Sequence, residues 1–200
     1  MYQRKNRILI LLVAAALFAL VGCGATTPPP TFYQLEEPAS TMLSGLERGI
    51  AVGVGPVNMP AYLDRPQIVT RAAAHRLELS EFNVWAEPLM ESIPRVIIVN
   101  LSNMLQSTRV FLLPRRDTAI PLSYRVTLAI ARFDGKLGGD VQLVARWIMY
   151  KGEGEYPLMT KVSIIAEASG GSGYENLITA QNRALKKLSQ EVADAIKGAQ

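Results

Sequence analysis

Tyr124-Arg125-Val126-Thr127-Leu128-Ala129-Ile130 and, past a glycine-rich break, Val141-Gln142-Leu143-Val144-Ala145-Arg146-Trp147-Ile148-Met149 decide the fold of this 200-residue chain. In the first run Tyr124, Val126, Leu128 and Ile130 fall on one face. In the second, Val141, Leu143, Ala145, Trp147 and Met149 do the same. This period of two is that of a strand with one buried face. Residues 135–140 supply the turn between them. A second turn at Gly152-Glu153-Gly154-Glu155 leads to a third run, in which Val162, Ile164, Ala166 and Ala168 continue the alternation. An antiparallel meander is therefore predicted.

Upstream, Ile50, Val52 and Val54 alternate with small residues and predict a strand, interrupted by Gly55-Pro56 and Pro60. Residues 67–71 and 76–79 predict two short strands joined through residues 72–75. Residues 110–113 predict another. A helix is predicted over residues 85–106, where Leu89, Ile93, Ile97, Leu101 and Met104 recur at helical spacing. Pro88 suits its first turn, but Pro94 removes a hydrogen bond inside it, so a kink near Glu91 or a later start is expected. A last helix is predicted over residues 174–197, with Leu177, Ala184, Leu188, Val192 and Ala195 as its apolar stripe. The order βββ-α-ββββ-α predicts an α+β fold, with one mixed, mainly antiparallel sheet covered on one face by two long helices.

The N-terminus carries a different signal. Arg4, Lys5 and Arg7 precede an apolar stretch over residues 8–21, about 14 residues, short of the roughly 18 that span a bilayer. It closes at Leu20-Val21-Gly22-Cys23, and Cys23 is the only cysteine. That run resembles the lipobox of bacterial lipoproteins. The resemblance implies cleavage before Cys23, acylation of its sulfur and of its new amine, and stable membrane attachment through more than one chain. Gly24 rather than Asp after the cysteine implies the outer membrane of a Gram-negative cell. The domain organisation that follows is a signal peptide over residues 1–22, a lipidated Cys23 with a proline-rich tether to residue 31, and one periplasmic domain over residues 32–200.

The net charge of +4 is largely that of the signal segment; its three positive charges subtracted, about +1 remains. Nucleic-acid binding, which needs clustered Lys and Arg, loses its support. Arg115-Arg116 and Lys186-Lys187 read as solvated pairs. His75 is the only histidine, so a histidine-rich zinc site is excluded, and no calcium-loop spacing is present. Metal and cofactor are expected to be absent. Gly170-Gly171-Ser172-Gly173 lacks the strand-turn-helix context of a nucleophile elbow. Gly53-Val54-Gly55 lacks the last glycine of a dinucleotide fingerprint. Glu153 and Glu155, two apart in a glycine-rich turn, read as solvated rather than as a glycosidase pair. Trp85 and Trp147 read as core rather than as a stacking platform.

Several runs across the chain carry a further resemblance: Val52-Gly53-Val54-Gly55-Pro56-Val57, Pro60 through Arg71 with Leu63-Asp64-Arg65-Pro66-Gln67-Ile68-Val69 at its centre, Trp85-Ala86-Glu87-Pro88-Leu89, Asn100-Leu101-Ser102, Phe133-Asp134-Gly135 and Leu143-Val144-Ala145-Arg146-Trp147. With the lipobox ahead of them, they resemble the PqiC/YmbA-type lipoproteins, also called ABC-type transport auxiliary lipoproteins. The resemblance implies a non-enzymatic subunit at the periplasmic face of the outer membrane. It implies work with an MCE-type periplasmic tunnel protein and its inner-membrane partner, in lipid or organic-solute transport that maintains envelope integrity. Several copies docking around a tunnel end are a natural arrangement. Asp64-Arg65-Pro66 is the expected partner-binding turn, rigid and charged. Its structural alternative is that Arg65 pairs with Asp64 or caps a carbonyl. Two other classes stand beside the adaptor: a lipid carrier with its own apolar pocket, disfavoured because both helices are spent on the sheet, and a hydrolase, which would have to use His75.

Overall fold

The computed structural model describes residues 27–39, 49–114 and 120–200. The signal segment, Cys23 and Arg115-Arg116 lie outside the described residues. Strands β1 (Thr31–Tyr33), β2 (Val52–Asn58), β3 (Gln67–Ala73) and β4 (Arg76–Trp85) precede helix α1 (Leu89–Leu105). Strands β5 (Val110–Leu112), β6 (Tyr124–Gly135), β7 (Asp140–Lys151) and β8 (Pro157–Ala168) lead to helix α2 (Tyr174–Gly198). The meander of β6, β7 and β8 is present, and its two long cross-strand ladders are antiparallel.

The α+β class holds, but the strands divide into two mixed sheets rather than one. The larger has the order β5-β2-β6-β7-β8, with β2 parallel to both β5 and β6. The smaller has the order β1-β4-β3, a β3–β4 hairpin extended by a parallel β1. Three residues of β1 give no periodicity to read, which is why the sequence does not announce it. Both helices pack on one face of the larger sheet, α1 over β2 and β5 and α2 over β6, β7 and β8. Between them lie Val126, Phe133, Leu143, Trp147, Ile97, Leu101, Leu177 and Leu188, all at most 1% exposed.

Three local readings change. Helix α1 starts at Leu89, because Trp85 still belongs to β4 and Pro88 sits at the N-cap with extended backbone. Proline also pushes the residue before it out of the helical region, which separates Glu87 from the helix. The helix then continues through Pro94, held by its buried stripe. Gly55-Pro56 does not end β2; a bulge between Val54 and Val57 absorbs it and the strand runs on to Asn58.

The third correction is β8. Cross-strand partners share a face, and Leu143 pairs with Ile165, so Ser163, Ile165 and Glu167 point inward while Val162 and Ile164 are 55% and 76% exposed. Polarity alone misleads here because β8 faces the charged flank of α2 rather than its apolar stripe. Trp147 Nε1 donates to Ser163 Oγ at 3.0 Å, and that hydroxyl donates to Glu191 of α2 at 2.5 Å. Arg183 Nε donates to Glu167 at 3.0 Å. Lys187 Nζ lies 2.5 Å from the other Glu167 oxygen, so this carboxylate is ion-paired on both sides and Lys187 is not merely solvated.

A buried carboxylate joins the two sheets. Asp134, near the end of β6, has a side chain fully out of solvent. It accepts from Tyr62 Oη at 2.8 Å, from Arg71 Nε and Nη2 of β3 at 2.8 Å each, and from Arg132 Nε at 3.0 Å. Burial pushes the Asp134 carboxyl up, but the hydrogen bonds from Arg71, Tyr62 and Arg132 outweigh it and hold it below the usual carboxylate range. Burial first, and then the bond to Asp134, push the Tyr62 hydroxyl up to about 12.

Asp134→Asn leaves two guanidinium groups without their counter-charge and is expected to cost about 3 kcal/mol in chemical denaturation. Because the folded carboxyl is lowered, its contribution is complete above about pH 4 and is lost as pH falls through the folded value. Glu167 and Glu191 are lowered too and act in the same direction. The stability difference between native protein and Asp134→Asn, followed from pH 6 downward, therefore narrows in acid. For β8, Ile165→Ala is expected to cost about 2–5 kcal/mol, and Ile164→Ala about 0.5 kcal/mol or less. Reversed magnitudes would contradict this register.

Candidate docking site

The turn that carries Asp64, Arg65 and Pro66 is built by short-range hydrogen bonds. Leu63 N–H donates to Pro60 O and Arg65 N–H to Leu63 O, both at 3.0 Å. Leu63 is buried and pins the turn to the core, while Tyr62 and Arg71 on either side are fixed by Asp134. Trp85 N–H donates to Pro66 O at 2.7 Å, and Ala86 N–H to Tyr33 O at 2.7 Å. The small sheet therefore brings together two segments about 20 residues apart in sequence. Asp64, Arg65 and Pro66 form one wall of a cavity of about 280 Å³, and Trp85, Ala86, Glu87 and Pro88 form the other.

Charges around this cavity are unevenly paired. Glu87 bonds to Arg95 of α1, which also holds Glu37 at 2.6 Å. No ion pair joins Arg65 to Asp64. Arg65 Nε is buried without an acceptor. Neither structural alternative, pairing with Asp64 or capping a carbonyl, is realised among the described residues. A buried donor left unmade costs about 1–3 kcal/mol. An acceptor recovers that cost only after a shift of the Arg65 side chain, since Nε is closed off from solvent. Trp85, only 6% exposed, serves as both core and cavity wall.

The other residues weighed for chemistry are scattered. His75 is exposed in the β3–β4 turn, Ser172 is exposed in the loop before α2, and Glu153 and Glu155 are exposed in the β7–β8 turn. Trp147 is core. Among the described residues, no three metal-ligating side chains cluster, and no helix is long and apolar enough to cross a membrane. The Tyr62–Arg71–Asp134–Arg132 cluster behind the docking turn was not legible as a unit. Its one sequence signal is an aspartate directly after Phe133 inside a strand, where a buried charge requires partners.

Comparison with known proteins agrees with this architecture. A family model described as ABC-type transport auxiliary lipoprotein component matches residues 33–193. The intermembrane transport lipoprotein PqiC of Escherichia coli strain K12 is 27% identical over 139 residues, 69% of this chain and 72% of that one. PqiC of Shigella flexneri gives the same values. Among solved structures, an uncharacterised protein superposes with a TM-score of 0.68 at 18% identity, covering 84% of this chain and 99% of that one. Protein XCC0632 from Xanthomonas campestris gives 0.65 at 14% identity, covering 82% and 92%. The likeness to these two structures is one of fold. With nearly all of the small sheet, the docking turn, the meander and α2 inside the matched span, this chain belongs to the ABC-type transport auxiliary lipoprotein family.

Proposed function

We propose that this auxiliary transport lipoprotein is a non-enzymatic adaptor, anchored through acylated Cys23 to the periplasmic face of the outer membrane. There it receives the end of an MCE-type tunnel protein that works with an inner-membrane partner. The cargo passes between membranes and sustains envelope integrity. Asp64, Arg65 and Pro66 form the partner-binding turn, and several copies around one tunnel end provide the docking collar. The observation that carries this reading is the buried, acceptor-free Arg65 Nε in a cavity walled by the two most specific segments of the resemblance. The similarity to an intermembrane transport lipoprotein supports the setting. A guanidinium held this way recognises a carbonyl or carboxylate on a protein segment, and nothing in the site activates a nucleophile.

Full-length protein with a C-terminal tag, purified in mild detergent, is expected to bring down an MCE-type protein. Arg65→Ala should reduce that capture about tenfold, the equivalent of roughly 1.4 kcal/mol, with no fall in melting temperature. A parallel loss of melting temperature would assign Arg65 to the fold instead. Cys23→Ser should release the protein from membranes while leaving the domain's melting temperature unchanged. Retention of that variant in the outer-membrane fraction would refute the anchor.

A further inference from the structure

The face of the larger sheet away from the helices carries a second cavity, of about 480 Å³. It lies at the start of β6, roughly 30 Å from Asp134 at about 3.3 Å per strand residue. Among the described residues, Gly55, Pro56, Leu113, Pro114 and Leu122 give it an apolar wall, and Arg125 and Glu153 are its charged members. Two glycines make that wall possible. A Cβ on Gly53 would meet the side chains of Leu113 and Leu122 at 2.7 and 2.8 Å, and one on Gly55 would meet Leu113 O at 2.7 Å. The wall is therefore formed where Gly53 and Gly55 of β2 leave room for Leu113 and Leu122.

The Arg125 guanidinium is held in place, the Glu153 carboxylate is exposed, and the two do not neutralise each other. The Arg125 guanidinium lies over the Tyr150 ring, 4.0 Å from its centroid, and donates from Nη2 to Gly154 O at 3.1 Å. Glu153 sits in the same turn, which is held by Gly152 N–H to Ser123 O at 2.8 Å and by Gly154 N–H to Lys151 O at 2.9 Å. No ion pair joins Arg125 and Glu153. A simple anion would satisfy Arg125 and be repelled by Glu153, and a sugar would leave the apolar wall unmatched. A zwitterion on an apolar chain satisfies all three features. Its phosphate faces Arg125, its ammonium faces Glu153, and its chain lies on Leu113, Leu122 and the prolines. The volume is within the usual range of small-ligand pockets, roughly 300–1,000 Å³.

We infer that this cavity takes one acyl chain of a phosphoethanolamine-type lipid. The site lies on the sheet face that neither helix covers, so using both helices on the other face leaves it open. The inference is independent of the Arg65 docking turn and of any partner.

The test uses full-length protein reconstituted in phosphatidylglycerol vesicles, because phosphatidylcholine carries the same pair of charges and would compete for the site. These carry a trace of either phosphatidylethanolamine or phosphatidylglycerol bearing the same photoactivatable acyl chain. After illumination, labelled peptides are mapped by mass spectrometry. Phosphatidylethanolamine should label peptides containing Leu113 and Leu122 at least fivefold more than phosphatidylglycerol does. Glu153→Gln, an exposed turn substitution, should bring that ratio close to one without reducing phosphatidylglycerol labelling. Arg125→Gln should reduce labelling by both lipids. Labelling elsewhere, or at these peptides without headgroup preference in the native protein, would overturn the inference. So would a Glu153→Gln ratio equal to the native one.

Discussion

A carboxylate with no access to water holds this molecule together. Asp134 ends a strand of the large sheet and takes hydrogen bonds from β3, from the turn before it and from its own strand. An ionised carboxylate in such a place is costly unless every lone pair is used. Here four donor contacts use them, and the charge stays. The geometry of the docking turn follows from this. Tyr62 and Arg71 bracket Asp64, Arg65 and Pro66, so fixing the two ends on one acid fixes what lies between. The same arrangement lets Arg65 remain unpaired, because the strongest local acceptor is already occupied.

Much of the fold was legible because burial follows simple periods. The meander is readable from Val126, Leu128, Leu143 and Trp147, and α2 from Leu177, Leu188 and Val192, since in each case the apolar set matches what the element buries. Legibility failed where tertiary partners overrode the pattern. Ser163 and Glu167 point inward because Trp147, Arg183 and Glu191 satisfy them, and the more apolar Val162 and Ile164 are turned out. Trp85 looked helical by spacing, yet its N–H is engaged by Pro66 across the small sheet. The docking turn itself was visible as a charged, proline-stiffened segment, but its second wall at Trp85 to Pro88 was not. Two segments meet there only through strand pairing that no local period encodes.

The two cavities divide along the length of β6. At one end the small sheet presents a polar, acceptor-seeking cleft. At the other, glycines in β2 open an apolar recess that holds, among the described residues, Arg125 and Glu153. The proposed docking turn and the proposed lipid site would then lie at opposite ends of β6. Helix α1 reaches the polar cleft through Arg95, which holds Glu87 of its wall. Both helices bury the opposite face of the sheet.

Chain entry has a mechanical consequence. The described N-terminal residues lead directly into β1, which runs parallel to the end of β4 for three residue pairs. Tension applied through the preceding segment is carried first by that short ladder, then by the small sheet, and then across the Asp134 ion pairs into β6 and the core. Parallel pairing places the load along the strands, so the hydrogen bonds resist together instead of unzipping one at a time. A domain held at its N-terminal end while a partner pulls on Asp64 to Pro66 would have both forces meet in the small sheet, with part of the load passed by Glu36 and Glu37 to the two helices.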